Sequence, residues 1–291
     1  MSHDTDVPNH SDLSLIEFMT VTSTQDAAVF VGRSEAYGQI GIYGGHYLGQ
    51  ALSAAFQTVP EPMLAQSYHG YFLAGAEPGR DLRYRVSSLR DARRGATRTV
   101  AAFQGDKQMF FMMVAFKEPE LGDEHQKQPP VVALPGTPEN THGSSELPFI
   151  FPMALHGRVE MVWASKTFFE PTPGDPHPLR VWMRVPGGEA LNDRERQIAI
   201  AFLSDGPLMF NSIVHHGMPM ETHRATSIDQ ATWFHRAANP GEWMLFDQRS
   251  TNAADGRGMN EGEIFSADGH MLMTCSQESM LRRIPTENPT Q

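Results

Sequence analysis

YFLAGAEPGRDLRYRV (residues 71–86) and WFHRAANPGEWMLFDQ (residues 233–248) decide the fold, because the second repeats the first. Phe72 meets Phe234, Ala76 meets Ala238, Pro78 meets Pro240 and Gly79 meets Gly241, each pair 162 residues apart. The same spacing runs on to Phe103 and Phe265, to Asp106 and Asp268, and to the apolar runs starting at Met109 and Met271. The shared identities are few. The repeat rests on turn residues falling on turn residues and apolar runs on apolar runs, as duplication of one folding unit requires.

In the first copy GGHYLGQALSAAFQTV (44–59) sets Leu48, Leu52, Ala55 and Phe56 at helical spacing. Strands are predicted at 66–74, 81–89, 96–104 and 108–117, with AEPG and GDKQ as turns. In the second copy ERQIAIAFLSDGPLMFNSIV (195–214) is the helix, and strands fall near 225–235, 242–251, 258–266 and 270–281. RVEMVWASKTFFEP (158–171) reads as an opening strand of this copy. A stretch rich in Pro, Gly and polar residues, 118–148, lies between the copies. The expected architecture is α+β: one long helix on an antiparallel meander, twice, with the copies pairing edge to edge or face to face. The boundaries expected are an N-terminal unit over 1–120, a linker or crossover over 121–155 and a C-terminal unit over 156–291.

The copies differ where chemistry is possible. In MLMTCSQESML (271–281) the strand alternation puts Met271, Met273, Cys275 and Gln277 on one face. A buried carboxamide without partners costs about 1–3 kcal/mol, so Gln277 must be satisfied by something. The 162-residue spacing sets Gln277 opposite Ala115, and Ser227 opposite Ala65. Asp205 sits inside the apolar helix IAIAFLSDGPLMF, where aspartate is unfavourable. Pro207 should break or restart that helix, leaving Asp205 near freed N–H groups able to stabilise its charge. Each residue also has an ordinary reading: Asp205 as a cap, Gln277 as a core amide bonded to backbone, Ser227 as the start of a strand.

Composition narrows the class. Of 291 residues, 34 are acidic and 23 basic, a net charge of −11, which argues against a general nucleic-acid binder. It leaves room for a small polyanion held by a local basic patch. Arg90, Arg93, Arg94 and Arg98 form one such candidate and Arg282 with Arg283 another, although surface arginines in solvated turns are the usual explanation of such clusters. One cysteine precludes an internal disulfide and fits a reducing compartment. No apolar run reaches membrane-span length, and MSHDTDVPNHSD at the start is polar and acidic, unlike a leader. A soluble cytoplasmic protein is expected.

Taken together and in order, several segments resemble the acyl-CoA thioesterase II family, the double-hotdog thioesterases. YGGHYLGQALSAA is similar to that family's first-helix signature, SYHGYFL (67–73) to its S-F-H-S-Y-F-L strand, EHQK (124–127) to the run after the first hotdog, and SIDQATWFHR (227–236) to its [T/S]-[I/L]-D-H-S-M-W-F-H-R. VWMR, LSD and SQESMLR recur in family order. His46 replaces the usual glutamine of the Gly-Gly motif, and Gln230 the histidine after Asp229. The resemblance implies two tandem hotdogs, each an antiparallel sheet wrapped around a long helix. It further implies an acyl-CoA substrate, assembly into dimers or tetramers of double hotdogs, and a catalytic trio of Asp205, Ser227 and Gln277; no cofactor or metal is expected.

Thioester hydrolysis needs chiefly a positioned, partly deprotonated water and donors for the oxyanion. A carboxylate general base contributes about 10²–10⁴-fold, the role expected of Asp205, with Ser227 and Gln277 orienting the water. Oxyanion donors are expected among N–H groups near a helix start. Cys275 is a lone inward cysteine, more often packing than nucleophile. The histidines lack zinc-site spacing, and no G-x-S-x-G elbow or phosphate-binding glycine loop is present. The alternatives are a hotdog enoyl-CoA hydratase or dehydratase, and a non-catalytic double hotdog that binds acyl-CoA.

Overall fold

A computed structural model of the chain describes residues 13–37, 41–138, 157–164, 179–216 and 223–284. The first half contains α1 (Leu15–Met19), β1 (Thr22–Ser23), β2 (Val29–Gly32) and α2 (Gly44–Phe56), then β3 (Leu64–Phe72), β4 (Leu82–Ala92), β5 (Gly95–Gln104) and β6 (Lys107–Lys117). The second half opens with β7 (Glu160–Trp163), β8 (Leu179–Arg184), α3 (Asp193–Ser204) and α4 (Phe210–His215). It closes with β9 (His223–Ser227), β10 (Asp229–Phe234), β11 (Met244–Ala254), β12 (Arg257–Ser266) and β13 (Met271–Arg283). The repeat is geometric: β4 with β11, and β5 with β12, start and end 162 residues apart.

Among the described residues the strands form one antiparallel sheet ordered β1-β2-β4-β5-β6-β3-β10-β13-β12-β11-β8-β7, with β9 also paired to β13. The halves join edge to edge through β3 and β10, where Gln230 lies opposite Gly70 and Trp233 opposite Ser67. Joining in this way hides two strand edges that would otherwise present unpaired N–H and C=O groups.

Helix α2 is the axis of the first half. Its residues from Gly45 to Phe56 are all buried, as in a helix enclosed on every side. The sheet wraps it through β4, β5 and β6, and α3 closes the remaining face. Gly45 permits that approach, because a Cβ there would collide with the Phe202 carbonyl oxygen and the Tyr43 ring. The contiguous core runs through both halves and includes Leu48, Leu52, Phe110, Phe202, Phe246 and Met273. This is a double hotdog.

The single helix expected over 195–214 divides in two. Asn192 starts α3 with a reciprocal cap: its Oδ1 accepts the Arg194 and Glu195 N–H groups at 3.0 and 3.1 Å, and Glu195 Oε2 accepts the Asn192 N–H at 2.9 Å. The helix stops at Ser204, where Asp205, Gly206 and Pro207 follow and proline has no N–H to continue the ladder. The chain re-enters as α4, which packs on β11 and β12 as α2 packs on β4 and β5. The counterpart of α2 is therefore α4, and α3 is an added helix lying on α2.

The crossover has no regular structure over its described part, yet it is fastened to the second half. Gln126 Nε2 donates to Gly269 O at 2.8 Å, its Oε1 accepts the Met271 N–H at 2.9 Å, and Lys127 pairs with Glu263. Trp182 Nε1 donates to Ala133 O at 2.9 Å. The opening strand expected over 158–171 is β7, Glu160–Trp163; residues 165–171 lie outside the described residues. No described helix is long and apolar enough to cross a membrane.

Candidate active site

The break after α3 sets the site. Asp205 occupies the C-cap position of that helix, and its carboxylate is turned across the interface toward the N-terminus of α2, where Gly45 N–H donates to Oδ2 at 3.1 Å. Free N–H groups and the positive end of the helix dipole suit an anion there. Gly44 leaves the room: a Cβ at that position would stand 2.5 Å from Asp205 Oδ2.

Strand β13 brings Gln277 to the other carboxylate oxygen. Burial alternates along β13 as its sequence implies, and Gln277 is fully enclosed. Its Nε2 donates to Asp205 Oδ1 at 2.6 Å, short enough for a bond to an ionised acceptor. Ser227, at the end of β9, donates from Oγ to the same Oδ1 at a longer 3.4 Å. The three residues singled out in the sequence thus meet at one carboxylate. Gln277 Oε1 is buried and has no hydrogen-bond partner among the described residues.

Burial raises the Asp205 carboxyl to about 6, against the lowering effect of the Gln277, Gly45, Ser227 and Gly44 bonds. An acid in that range is deprotonated at neutral pH yet basic enough to take a proton, the compromise wanted in a general base. Around it lie hydroxyls held neutral: burial pushes the Tyr43 and Tyr68 phenols upward, and Tyr43 donates to Phe202 O at 2.8 Å. Burial likewise pushes the Cys275 thiol up, so it stays protonated and unreactive.

Two further residues at the site carry no local signal of it in the sequence. Gly45 belongs to the first copy and reaches Asp205 only through the packing of α2 on α3. Gln230 stood out as a substituted position, but its place in the site comes from strand register: β10 pairs with β13 so that Ala231 faces Ser276, which sets Gln230 beside Gln277. Its Oε1 accepts from Gln277 Nε2 at 3.2 Å. His46, the other substituted position, is enclosed near Tyr37 and Arg33 O, at 3.1 and 2.9 Å, and burial lowers its imidazole to about 4.

Of the arginine cluster proposed from sequence, Arg98 is lost. It is buried on the inner face of β5 and spends its guanidinium on Asp91 Oδ1 (2.6 Å), Thr58 O and Oγ1, Ser88 Oγ and Arg90 O. Its alternation with buried Ala96, Val100 and Ala102 was the available signal. Arg94 pairs with Glu118 and Glu120. Arg282 and Arg283 remain exposed, with Arg224 directly across from Arg282 on β9, three residues from Ser227.

A doubled hotdog that gathers a buried carboxylate, a carboxamide and a hydroxyl beside a helix N-terminus holds the groups that thioester hydrolysis calls for. The chain matches the profile of the acyl-CoA thioesterase N-terminal domain over residues 33–117 and that of the C-terminal domain over 128–281. It is 30% identical over 269 residues to acyl-CoA thioesterase 2 of Haemophilus influenzae, covering 88% of this chain and 93% of that one. It is 26% identical over 295 residues to human acyl-coenzyme A thioesterase 8, covering 94% and 91% of the two chains. The crystal structure of an acyl-CoA thioesterase II from Mycobacterium marinum superposes with a TM-score of 0.77 at 28% identity, over 94% of this chain and 99% of that one. The chain belongs to the acyl-CoA thioesterase family, hydrolases of thioester bonds.

Proposed function

We propose that this chain hydrolyses acyl-CoA to a free carboxylic acid and CoA with a water activated by Asp205 and oriented by Gln277 and Ser227. The observation that carries the reading is the convergence of Gln277, at 2.6 Å, and Ser227, at 3.4 Å, on the Asp205 carboxylate. Gln277 Oε1 is a buried acceptor whose orientation is fixed by its own N–H bonds, and buried acceptors are almost always satisfied. A water that donates one hydrogen to Gln277 Oε1 and the other to the Asp205 carboxylate, which the Ser227 hydroxyl holds in place, has a lone pair left for the thioester carbon. Asp205 takes the proton as the C–O bond forms, and the tetrahedral oxyanion collapses with cleavage of the C–S bond. The same carboxyl then returns the proton to the departing thiolate. The α2 N-terminus keeps Asp205 ionised in the resting enzyme and stands next to the developing oxyanion.

Arg282, Arg283 and Arg224 supply positive charge near Ser227 for the CoA phosphates. The crossover divides the chain into an N-terminal hotdog over 1–120 and a C-terminal hotdog over 156–291. The outer face of the central strands exposes Tyr71, Phe111, Met113 and Trp233, apolar area that assembly of two or four copies would cover.

Release of thiol from short, medium and long acyl-CoAs tests the proposal. The wild-type chain is expected to release CoA and Gln277→Ala to lose most turnover while keeping its fold. An unchanged rate in folded Gln277→Ala overturns the site. Absence of thiol release across the panel favours the acyl-CoA binder, and gain or loss of 2-enoyl absorbance favours the hydratase.

A further inference from the structure

We infer that Gln230 is a positioning residue that keeps the Gln277 amide facing one way while Asp205 changes its protonation state. The inference rests on the proposed hydrolytic role of Asp205 and Gln277.

Ser204 Oγ donates its only proton to Ala201 O at 2.8 Å, so toward other groups it accepts. Gln230 presents Nε2 to it at 2.7 Å, and the same nitrogen lies 3.3 Å from Thr232 Oγ1 and 3.5 Å from the Tyr68 hydroxyl. Turning the Gln230 amide over would set its oxygen 2.7 Å from an oxygen with no proton to offer. Its Oε1 is thereby aimed at Gln277, whose Nε2 donates to it at 3.2 Å. The chain of bonds runs from the α3 backbone through Ser204 and Gln230 to Gln277 and ends on Asp205. All of Ser204, Gln230, Thr232 and Gln277 are buried, so water does not readily substitute for a missing link.

Ionised Asp205 holds the Gln277 N–H group without help. The difference arises once Asp205 has taken the proton of the water. A carboxylic acid can donate to an amide oxygen, which rewards a flip that brings Gln277 Oε1 to Asp205 and withdraws it from the reacting water. Gln230 Oε1 can only accept, so a flipped Gln277 would set oxygen against oxygen. Gln230 thus opposes the misoriented, protonated state and leaves the productive one intact.

The test is Gln230→Leu, close in volume and without the acceptor, read by the pH profile of kcat and kcat/KM for CoA release. Removing the acceptor permits the acid–amide pair that stabilises protonated Asp205, so the acid limb is expected to move up by about one pH unit, the worth of a single hydrogen bond. KM is expected to stay near wild type. On the alkaline plateau, where ionised Asp205 orients Gln277 itself, the loss in kcat is expected to be under about tenfold. Ser204→Ala, which removes one oxygen and risks the fold least, is expected to shift the limb in the same direction by less. A wild-type acid limb in Gln230→Leu overturns the inference; should that variant not fold, a wild-type limb in Ser204→Ala overturns it. Gln277→Ala separates the two levels: if it is inactive while Gln230→Leu behaves as wild type, only the positioning role fails. If Gln277→Ala is fully active, the site reading fails with it.

Discussion

Replacing Asp205 by asparagine is expected to inactivate the enzyme and, at neutral pH, to stabilise the fold. The folded carboxyl lies at about 6 against an ordinary 3.8, raised chiefly by burial. A folded value above the unfolded one means that protonation favours the folded state. That contribution is fully present below about 4 and is lost as pH rises to about 6. Two units at about 1.4 kcal/mol each make the ionised group a burden of about 3 kcal/mol at pH 8, and roughly half of it develops above pH 5. Asparagine does not titrate. Its amide hydrogens must face Gly45 N–H or Gln277 Nε2, a pH-independent cost of about 1 kcal/mol. Reversible denaturant unfolding of both proteins at pH 5 and pH 8 removes that constant. The variant is expected to gain about 1.5 kcal/mol relative to wild type between the two pH values. A stability difference that does not change with pH would refute the claim that burial raises the Asp205 carboxyl.

Wild-type kcat/KM is expected to rise with pH along a limb near 6, where Asp205 loses its proton, and a limb near 4 would show a solvated carboxylate instead. Ser227→Ala is expected to lose less turnover than Gln277→Ala, because its bond to Asp205 Oδ1 is 3.4 Å against 2.6 Å, and Ser227→Thr to retain activity; the reverse order in CoA release contradicts this. Gly44→Ala places a methyl 2.5 Å from Asp205 Oδ2. It is expected to lower kcat and to destabilise by about 1–3 kcal/mol, measured as a fall in both turnover and Tm. Cys275→Ala is expected to keep turnover, since the buried thiol is held protonated; loss of activity in a folded variant would return it to the mechanism.

Periodicity and repetition carry most of the fold in the sequence. The strand pairs β4 with β11 and β5 with β12 could be placed from the 162-residue spacing alone, since turns and apolar alternation are local properties. Gln277 and Asp205 were visible for a related reason: each violates its own local pattern, an amide on an apolar strand face and an acid inside an apolar helix. Contacts set by packing between distant segments were not visible. Gly45 donates to Asp205 across 160 residues, and no local rule says which helix start will face which acid. The division of α3 from α4 was half legible. Pro207 marks the break, but the choice of α3 to lie on α2 depends on the glycine face that α2 offers. Arg98 shows the opposite error, a residue taken for surface charge although the alternation of β5 already turned it inward.

A single turnover of acyl-CoA in water enriched in ¹⁸O, with enzyme in excess, bears most directly on the proposed attack by water. One solvent oxygen is expected in the released acid and none in the Asp205 carboxylate, because the carboxylate removes a proton and forms no bond to carbon. Label recovered in Asp205 would make it a nucleophile and contradict the mechanism.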